Sequence, residues 1–218
     1  HHPRHAHTRG PLLDKSLHID DPGDVVVEQA NGGHDAVVSA ITVTLSDHIE
    51  TLSLTGSAAL DGVGNALDNL LVGNEGVNVL AGGSGHDTYV VEAWDSVIEQ
   101  ADGGIDTVQT SHSFALGTQV ENLTLTGAGS VVGIGNDLAN RLVGNGSASG
   151  LLGGKGDDTY VVKGLEAVRE LPGEGIDLVL TNRSYRLGPN LENLTLMESD
   201  FANLWSPYHT SIVTAAGN

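Results

Sequence analysis

The sequence predicts an all-β protein, a right-handed parallel β-roll or β-solenoid built from tandem repeats. Two observations support this prediction. A glycine-rich nonapeptide of the form G-G-x-G-x-D-x-U-x, where U is a large apolar residue, starts at Gly82 and again at Gly153. Most of the sequence also aligns with itself when it is shifted by 71 residues. A fixed period is typical of solenoids, in which each unit buries its apolar face against its neighbours.

Each nonapeptide supplies one turn and one short strand. Its glycines permit the positive-φ conformations of a sharp bend, and the Thr-Tyr-Val-Val that follows each Asp is rich in β-formers. Two nonapeptides make one coil of about 18 residues, so turns on the same edge recur one coil apart. The turn Gly82–Asp87 is therefore expected to lie between the turns Gly64–Asn69 and Gln100–Asp106.

The 71-residue unit recurs nearly three times, over residues 16–86, 87–157 and 158–197. Each copy contains a segment such as Val-Glu-Asn-Leu-Thr-Leu at residues 120–125, whose alternation sends apolar side chains inward and polar ones outward. Ser16 is expected to stand where the second copy has Asp87. Strands of the first copy are expected at Val25–Glu28, Ala36–Val38, Ile41–Leu45 and Thr51–Leu54.

The two nonapeptides, Gly82–Val90 and Gly153–Val161, together with the 71-residue period, resemble the repeats of RTX proteins, which carry hemolysin-type calcium-binding repeats. The resemblance covers residues 16–197. It implies a secreted bacterial protein that binds Ca²⁺, folds in a calcium-dependent way and leaves the cell by type I secretion, so that it is located outside the cell or at the cell surface.

A calcium site of this type draws its ligands from the stacked turns. Ca²⁺ takes about 6–8 oxygen ligands, and a GGxGxD turn offers several backbone carbonyls and one carboxylate. A simple flexible loop is the alternative, but the neighbouring nonamers keep the same register. Stacking pairs Asp87 with Asp102 or Asp106, and Asp158 with Glu174 or Asp177. The predicted metal-site residues are Gly82, Gly83, Gly85, Asp87, Asp102, Asp106, Gly153, Gly154, Gly156, Asp158, Glu174 and Asp177.

Other turns carry asparagine where a calcium turn carries Gly or Asp. Asn69, Asn78 and Asn140 are weaker turn positions, at which we expect little or no calcium. Asn tolerates left-handed turn conformations, and its side chain can bond to the next coil. These residues are either simple turn formers or rungs of a hydrogen-bonded ladder that replaces a cation.

Glutamates recur at two equivalent places in the three copies. Solvated strand ends explain them, and direct or indirect calcium ligation is the alternative. The first set is Glu28, Glu99 and Glu170, and the second is Glu50, Glu121 and Glu192.

Composition excludes several classes of protein. The chain has 28 acidic and 9 basic residues, a formal charge of −19, which disfavours nucleic acid and anionic membranes as partners. It has no cysteine, which excludes disulfides and thiolate metal sites. No apolar run approaches the length of a transmembrane helix, so membrane insertion is not expected.

The two ends of the chain do not follow the repeat. Residues 1–15 begin with a His-rich run that is expected to be a linker, a tag remnant, a docked segment or a transition-metal site. Residues 198–218 diverge and are expected to form an end cap or a docking surface for another subunit.

No convincing active site is present. The motifs H-E-x-x-H, G-x-S-x-G and the Walker loop are absent, and Ser111-His112-Ser113 has no chemical counterpart in the other copies. We expect a non-catalytic, extracellular calcium-binding structural protein of a surface layer, adhesin, matrix or filament, with itself as a possible partner, end to end or laterally. The alternative is a calcium-dependent secretion or folding module of a larger secreted enzyme such as a protease, lipase or alginate epimerase.

Overall fold

The computed structural model describes residues 14–30, 32–197 and the backbone of residues 214–216. Every regular element in these residues is a β-strand. The described part of the chain contains no helix long and apolar enough to cross a bilayer. Most of the predicted His-rich segment and of the divergent C-terminal segment lies outside the described residues, so the predictions for both ends remain predictions.

The chain divides into two units. The first comprises residues 1–109 and 117–120. Its strands lie on two faces, with parallel pairing and the orders β1-β2-β4-β6-β8-β10 and β3-β5-β7-β9. The strands are β1 (Ser16–Ile19), β2 (Ala36–Ser39), β3 (Val43–Thr44), β4 (Thr51–Leu54), β5 (Asp61–Val63), β6 (Leu70–Val72), β7 (Val79–Ala81), β8 (Thr88–Val91), β9 (Ser96–Val97) and β10 (Thr107–Thr110).

The second unit comprises residues 110–116 and 121–218. Its faces have the orders β12-β14-β16-β18-β19-β20 and β11-β13-β15-β17. The pairs are parallel except for β20, which runs antiparallel to β19. The strands are β11 (Phe114–Ala115), β12 (Asn122–Leu125), β13 (Val132–Ile134), β14 (Arg141–Val143), β15 (Gly150–Leu152), β16 (Thr159–Val162), β17 (Ala167–Arg169), β18 (Leu178–Thr181), β19 (Asn193–Leu196) and β20 (Thr214–Ala216).

Apolar side chains stack into a narrow core within each unit. In the first unit, Leu52 lies opposite Leu71, Leu71 lies opposite Tyr89, and all three are fully buried. Gly62 faces this column from the other sheet, and a Cβ there would lie 2.7 Å from Leu52 Cδ2. At this level the leucines of β4 fill the space, so the opposite face has no room for a side chain.

The structure confirms an all-β parallel solenoid in each unit. The strands predicted at Ala36–Val38 and Thr51–Leu54 are present as β2 and β4, and Ile41–Leu45 is reduced to β3. The strand predicted at Val25–Glu28 is wrong, because only Val27 forms an isolated bridge there. The hydroxyl of Ser46 donates to the Val26 carbonyl at 2.7 Å, so a side chain replaces a ladder bond in this segment.

Candidate metal centres

The glycine turns stack in the predicted order. The N–H of Ser84 donates to the Asn65 carbonyl at 3.3 Å, and that of Gly85 donates to the Gly103 carbonyl at 2.7 Å. In the second unit, the N–H of Gly156 donates to the Glu174 carbonyl at 2.7 Å. The turn Gly82–Asp87 thus lies between the two turns that the sequence places beside it.

Glycine is required in these turns for two reasons. Gly83 and Gly85 have φ of 107° and 116°, a region that favours glycine. A Cβ at Gly82 would collide with Asp87 Oδ2 and with the Tyr89 hydroxyl, so this glycine makes room for an inward carboxylate. Gly153, Gly154 and Gly156 repeat the same pattern in the second unit.

Each unit gathers three carboxylates at the end of its glycine turn. In the first unit they belong to Asp87, just before β8, to Glu99, after β9, and to Asp106, just before β10. One oxygen of each lies within 4.8 Å of the other two. We call this group the first triad.

The second triad consists of Asp158, Glu170 and Asp177, with the same 4.8 Å limit between its oxygens. Each member stands 71 residues after its counterpart in the first triad. All three residues are buried. The repeat therefore reproduces the cluster as well as the strands.

One oxygen of each aspartate holds neighbouring coils together. In the first triad, Asp87 Oδ1 accepts from the N–H of Asn69 at 2.7 Å, and Asp106 Oδ1 accepts from the N–H of Asp87 at 2.8 Å. In the second, Asp158 Oδ1 accepts from the N–H of Asn140 at 2.7 Å. The aspartates thus accept from backbone N–H groups that strand pairing leaves without a partner.

The other oxygens point into the clusters and accept no hydrogen bond. They are Oδ2 of Asp87, Oδ2 of Asp158 and Oε2 of Glu170, and all three are buried. A buried polar atom without a partner destabilises a fold, and a buried charge does so far more. A bound cation is the simplest partner for several such oxygens at once.

The pKa values show how strongly these sites disfavour unpaired negative charge. Burial, followed by the charge of neighbouring acids, raises the pKa of Asp87 to about 7 and that of Asp106 to about 6. In the second triad, burial raises the pKa of Asp158 to about 7 and that of Glu170 to about 8. Burial also raises the pKa of Asp177.

Tyrosine hydroxyls lie beside both triads. The Tyr89 hydroxyl donates to Glu99 Oε1 and accepts from the N–H of Gly82 at 2.6 Å. The Tyr160 hydroxyl is buried and has no hydrogen-bond partner, because the N–H of Gly153 donates to Glu170 Oε1 at 3.1 Å instead. The second triad therefore holds an additional unused oxygen.

The triads contain some of the predicted residues and omit others. Asp87 with Asp106, and Asp158 with Asp177, come together, whereas Asp102 and Glu174 belong to neither triad. Asp102 is exposed with φ of 63°, a left-handed turn position. The equivalent residue of the next copy is Gly173, with φ of 82°. Turn geometry therefore accounts for Asp102. Glu174 accepts from the N–H of Leu171 at 2.8 Å, and its carboxyl group also lies beside that of Glu170 in the second triad.

Glu99 and Glu170 are the third members, and they are absent from the predicted metal-site residues. Their recurrence with Glu28 is the signal in the sequence, for which calcium ligation is the alternative to solvated strand ends. Solvation is the wrong interpretation for this set, because Glu28 and Glu170 are buried and Glu99 is half-buried.

The asparagine turns form a ladder of hydrogen bonds. Asn69 donates through Nδ2 to the Ile49 carbonyl at 3.1 Å, and Asn78 donates to the Leu60 carbonyl at 2.8 Å. Asn140 likewise donates to the Glu121 carbonyl at 3.2 Å. An amide supplies both a donor and an acceptor to its neighbours, so these turns form hydrogen bonds between coils from protein groups alone.

The beginning of the first copy, at β1, is offset by one residue from the expected alignment, whereas Glu28 and Asp35 keep the 71-residue spacing. Ser16 pairs with Ala36 at the start of β1, whereas the residue equivalent to Ala36 in the second copy, Thr107, bonds to Asp87 one position before β8. The residue that occupies the Asp87 position is therefore Lys15.

No protein-family model, curated protein or solved structure matches this chain. A functional interpretation therefore rests on the geometry of the triads and on the motifs of the sequence.

Proposed function

We propose that this chain is an extracellular, calcium-binding structural protein of the RTX type, in which each triad binds one Ca²⁺. The observation that supports this proposal is the set of buried carboxylate oxygens that accept no hydrogen bond, Oδ2 of Asp87, Oδ2 of Asp158 and Oε2 of Glu170. When bound, the cation would neutralise these charges and join consecutive coils. The ion therefore has a structural role.

The ligand chemistry favours calcium over other metals. Both triads offer carboxylate oxygens, and neither contains His or Cys, so softer transition metals are disfavoured. Mg²⁺ demands near-ideal octahedral geometry and keeps several waters, whereas Ca²⁺ accepts irregular sets of oxygens. The adjoining glycine turns can add backbone carbonyls to three carboxylates. Ca²⁺ is therefore the cation that fits best.

The proposal includes no catalytic role. Ser111 Oγ lies 3.3 Å from His112 Nδ1, but the two residues are adjacent in the chain, and Ser111 is exposed. Asp106, an acid that lies near this pair in the sequence, belongs to the first carboxylate triad and accepts from the N–H of Asp87 at 2.8 Å. The negative charge of the chain and its lack of cysteine also suit an extracellular protein that uses calcium in place of disulfides.

The test is a calcium titration of the chelator-treated full chain, followed by isothermal titration calorimetry and far-UV circular dichroism. We expect two ions per chain, one for each triad. Asp87→Asn and Asp158→Asn should each remove one ion, because the amide keeps the Oδ1 hydrogen bond but lacks the charge. Asp137→Asn is the matched control, since Asp137 is exposed and pairs with Lys155 at the surface. No calcium binding by the natural sequence, or unchanged stoichiometry in both variants, would contradict the proposal.

A further inference from the structure

The first copy carries a lysine at the place of the first triad aspartate. The N–H of Lys15 donates to Asp35 Oδ1 at 2.8 Å. The N–H of Asp87 makes the same bond to Asp106 Oδ1, also at 2.8 Å. In the second unit, the N–H of Asp158 donates to Asp177 Oδ1 at 2.9 Å. Lys15 therefore occupies the backbone position of the two aspartates.

The hydrogen bonds that the carbonyl groups of these residues accept also place Lys15 at the Asp87 position. The carbonyl of Lys15 accepts from the N–H of Ala36 at 2.8 Å, as that of Asp87 accepts from Thr107 at 2.9 Å. The other two triad positions are conserved within the chain, because Glu28 and Asp35 stand 71 residues before Glu99 and Asp106. The first copy is thus a triad with one substitution.

The lysine ammonium lies where the two remaining carboxylates need a cation. Lys15 Nζ is 2.9 Å from Glu28 Oε2 and 4.0 Å from Asp35 Oδ1. The side chains of Glu28 and Asp35 are 2% and 0% exposed, so their charges would be costly without a partner. In this copy a side-chain ion pair stands where the other copies bring in a third carboxylate, and Asp35 Oδ2 remains buried without a hydrogen-bond partner.

Charge counting shows that the substitution can take over the role of a divalent cation. Three ionised carboxylates and one Ca²⁺ sum to −3 + 2 = −1. Two ionised carboxylates and one ammonium sum to −2 + 1 = −1. Replacing Asp by Lys changes the side-chain charge by two units, which is the charge of one calcium ion.

We propose that Lys15 is the built-in cation of the first copy, so that these coils stack without metal and the chain binds two calcium ions instead of three. This inference rests on the proposed function, since it takes the two intact triads as calcium sites. It goes beyond the proposed function because it states that the coils of the first copy stack without metal and that Lys15 is the reason.

The first experiment moves the lysine into a triad. In the full chain, Asp87→Lys is compared with Asp87→Met, which removes the carboxylate without adding an ammonium, by calcium stoichiometry and by thermal melting in chelator. We expect both variants to bind one ion. In chelator, Asp87→Lys should melt above Asp87→Met, since both variants lose the bond to the N–H of Asn69 and only the lysine supplies a charge. If Asp87→Lys folds but melts no higher than Asp87→Met, the inference is overturned.

The second experiment covers the case in which Asp87→Lys does not fold. Lys15→Met should lower the melting temperature by on the order of 10 °C, because it leaves two buried carboxylates without a cation. The loss should be equal in calcium and in chelator, and Lys15→Arg should recover most of it. A loss that calcium abolishes, or no loss at all, would overturn the inference.

The stoichiometry of the natural sequence separates the two proposals. Three ions per chain would leave the proposed function standing and overturn the role of Lys15. No bound ion would overturn the proposed function. The melting temperatures of Lys15→Met and Lys15→Arg would still show whether a cation at this position stabilises the first copy.

Discussion

In each glycine turn, one glycine leaves the space that an aspartate needs to point its carboxylate inward. At Gly153, a Cβ would meet Asp158 Oδ2 and the Tyr160 hydroxyl, both of which line the second triad. This glycine is therefore part of the site although it offers no side chain to the metal.

We expect Gly153→Ala to destabilise the protein by about 2 kcal/mol, because the aspartate and tyrosine must both shift in a packed interior. Calcium affinity should fall with it, since the displaced carboxylate belongs to the triad. Chemical unfolding and calorimetry measure the two effects. Gly129→Ala is the control in the same unit, since a Cβ there has no heavy atom within 4 Å. Equal behaviour of the two variants would contradict this role for Gly153.

Within a coil, stability comes from two kinds of turn. The glycine turns present carboxylates that need a cation, whereas the asparagine turns complete their own hydrogen bonds. Asn78 is fully buried, donates to the Leu60 carbonyl at 2.8 Å and accepts from the N–H of Asn74 at 2.8 Å. The asparagine turns should therefore stabilise the coils whether or not calcium is present.

Asn78→Ala should accordingly cost about 3 kcal/mol, because it removes the side-chain partner of two backbone groups, the Leu60 carbonyl and the N–H of Asn74. The cost should be the same in calcium and in chelator, which urea unfolding under both conditions would show. Asp87→Asn is the contrasting variant, since its effect should appear mainly in calcium. A calcium-dependent loss at Asn78 would show that the asparagine turns take part in metal binding.

The sequence was sufficient for the fold and for part of the site. Periodic turns fix the coil, so the stacking of Gly82–Asp87 between its neighbours followed from counting residues. Glu99 was harder to assign because it follows β9 on a different part of the coil, and only the closed coil brings it to Asp87. The 71-residue shift puts Ser16 at the position that Lys15 occupies, because β1 is offset by one residue, and only the hydrogen bonds of Lys15 to the next coil reveal this.

In the whole molecule, the buried acids and the net negative charge both destabilise the calcium-free folded state. The chain carries a formal charge of −19, and deprotonating the triads adds charge in the places that solvate it least. Burial raises the folded pKa of Asp87 and Asp158 to about 7 and that of Glu170 to about 8. Their unfolded values are about 4, so without calcium the folded chain binds more protons than the unfolded chain between about pH 4 and 8.

The calcium-free protein should therefore be most stable in mild acid and should lose stability as the pH rises from 5 to 8. Calcium should reverse this trend, because its ligands must be deprotonated and the ion then supplies the missing charge. The calcium-dependent gain in melting temperature should be small at pH 5 and large at pH 8, as thermal melts with chelator and with calcium would measure. Asp87→Asn combined with Asp158→Asn should flatten both curves, since it removes one titrating carboxyl from each triad. A calcium-dependent gain that stays constant across this range would show that the buried carboxyls are not the groups that bind the ion.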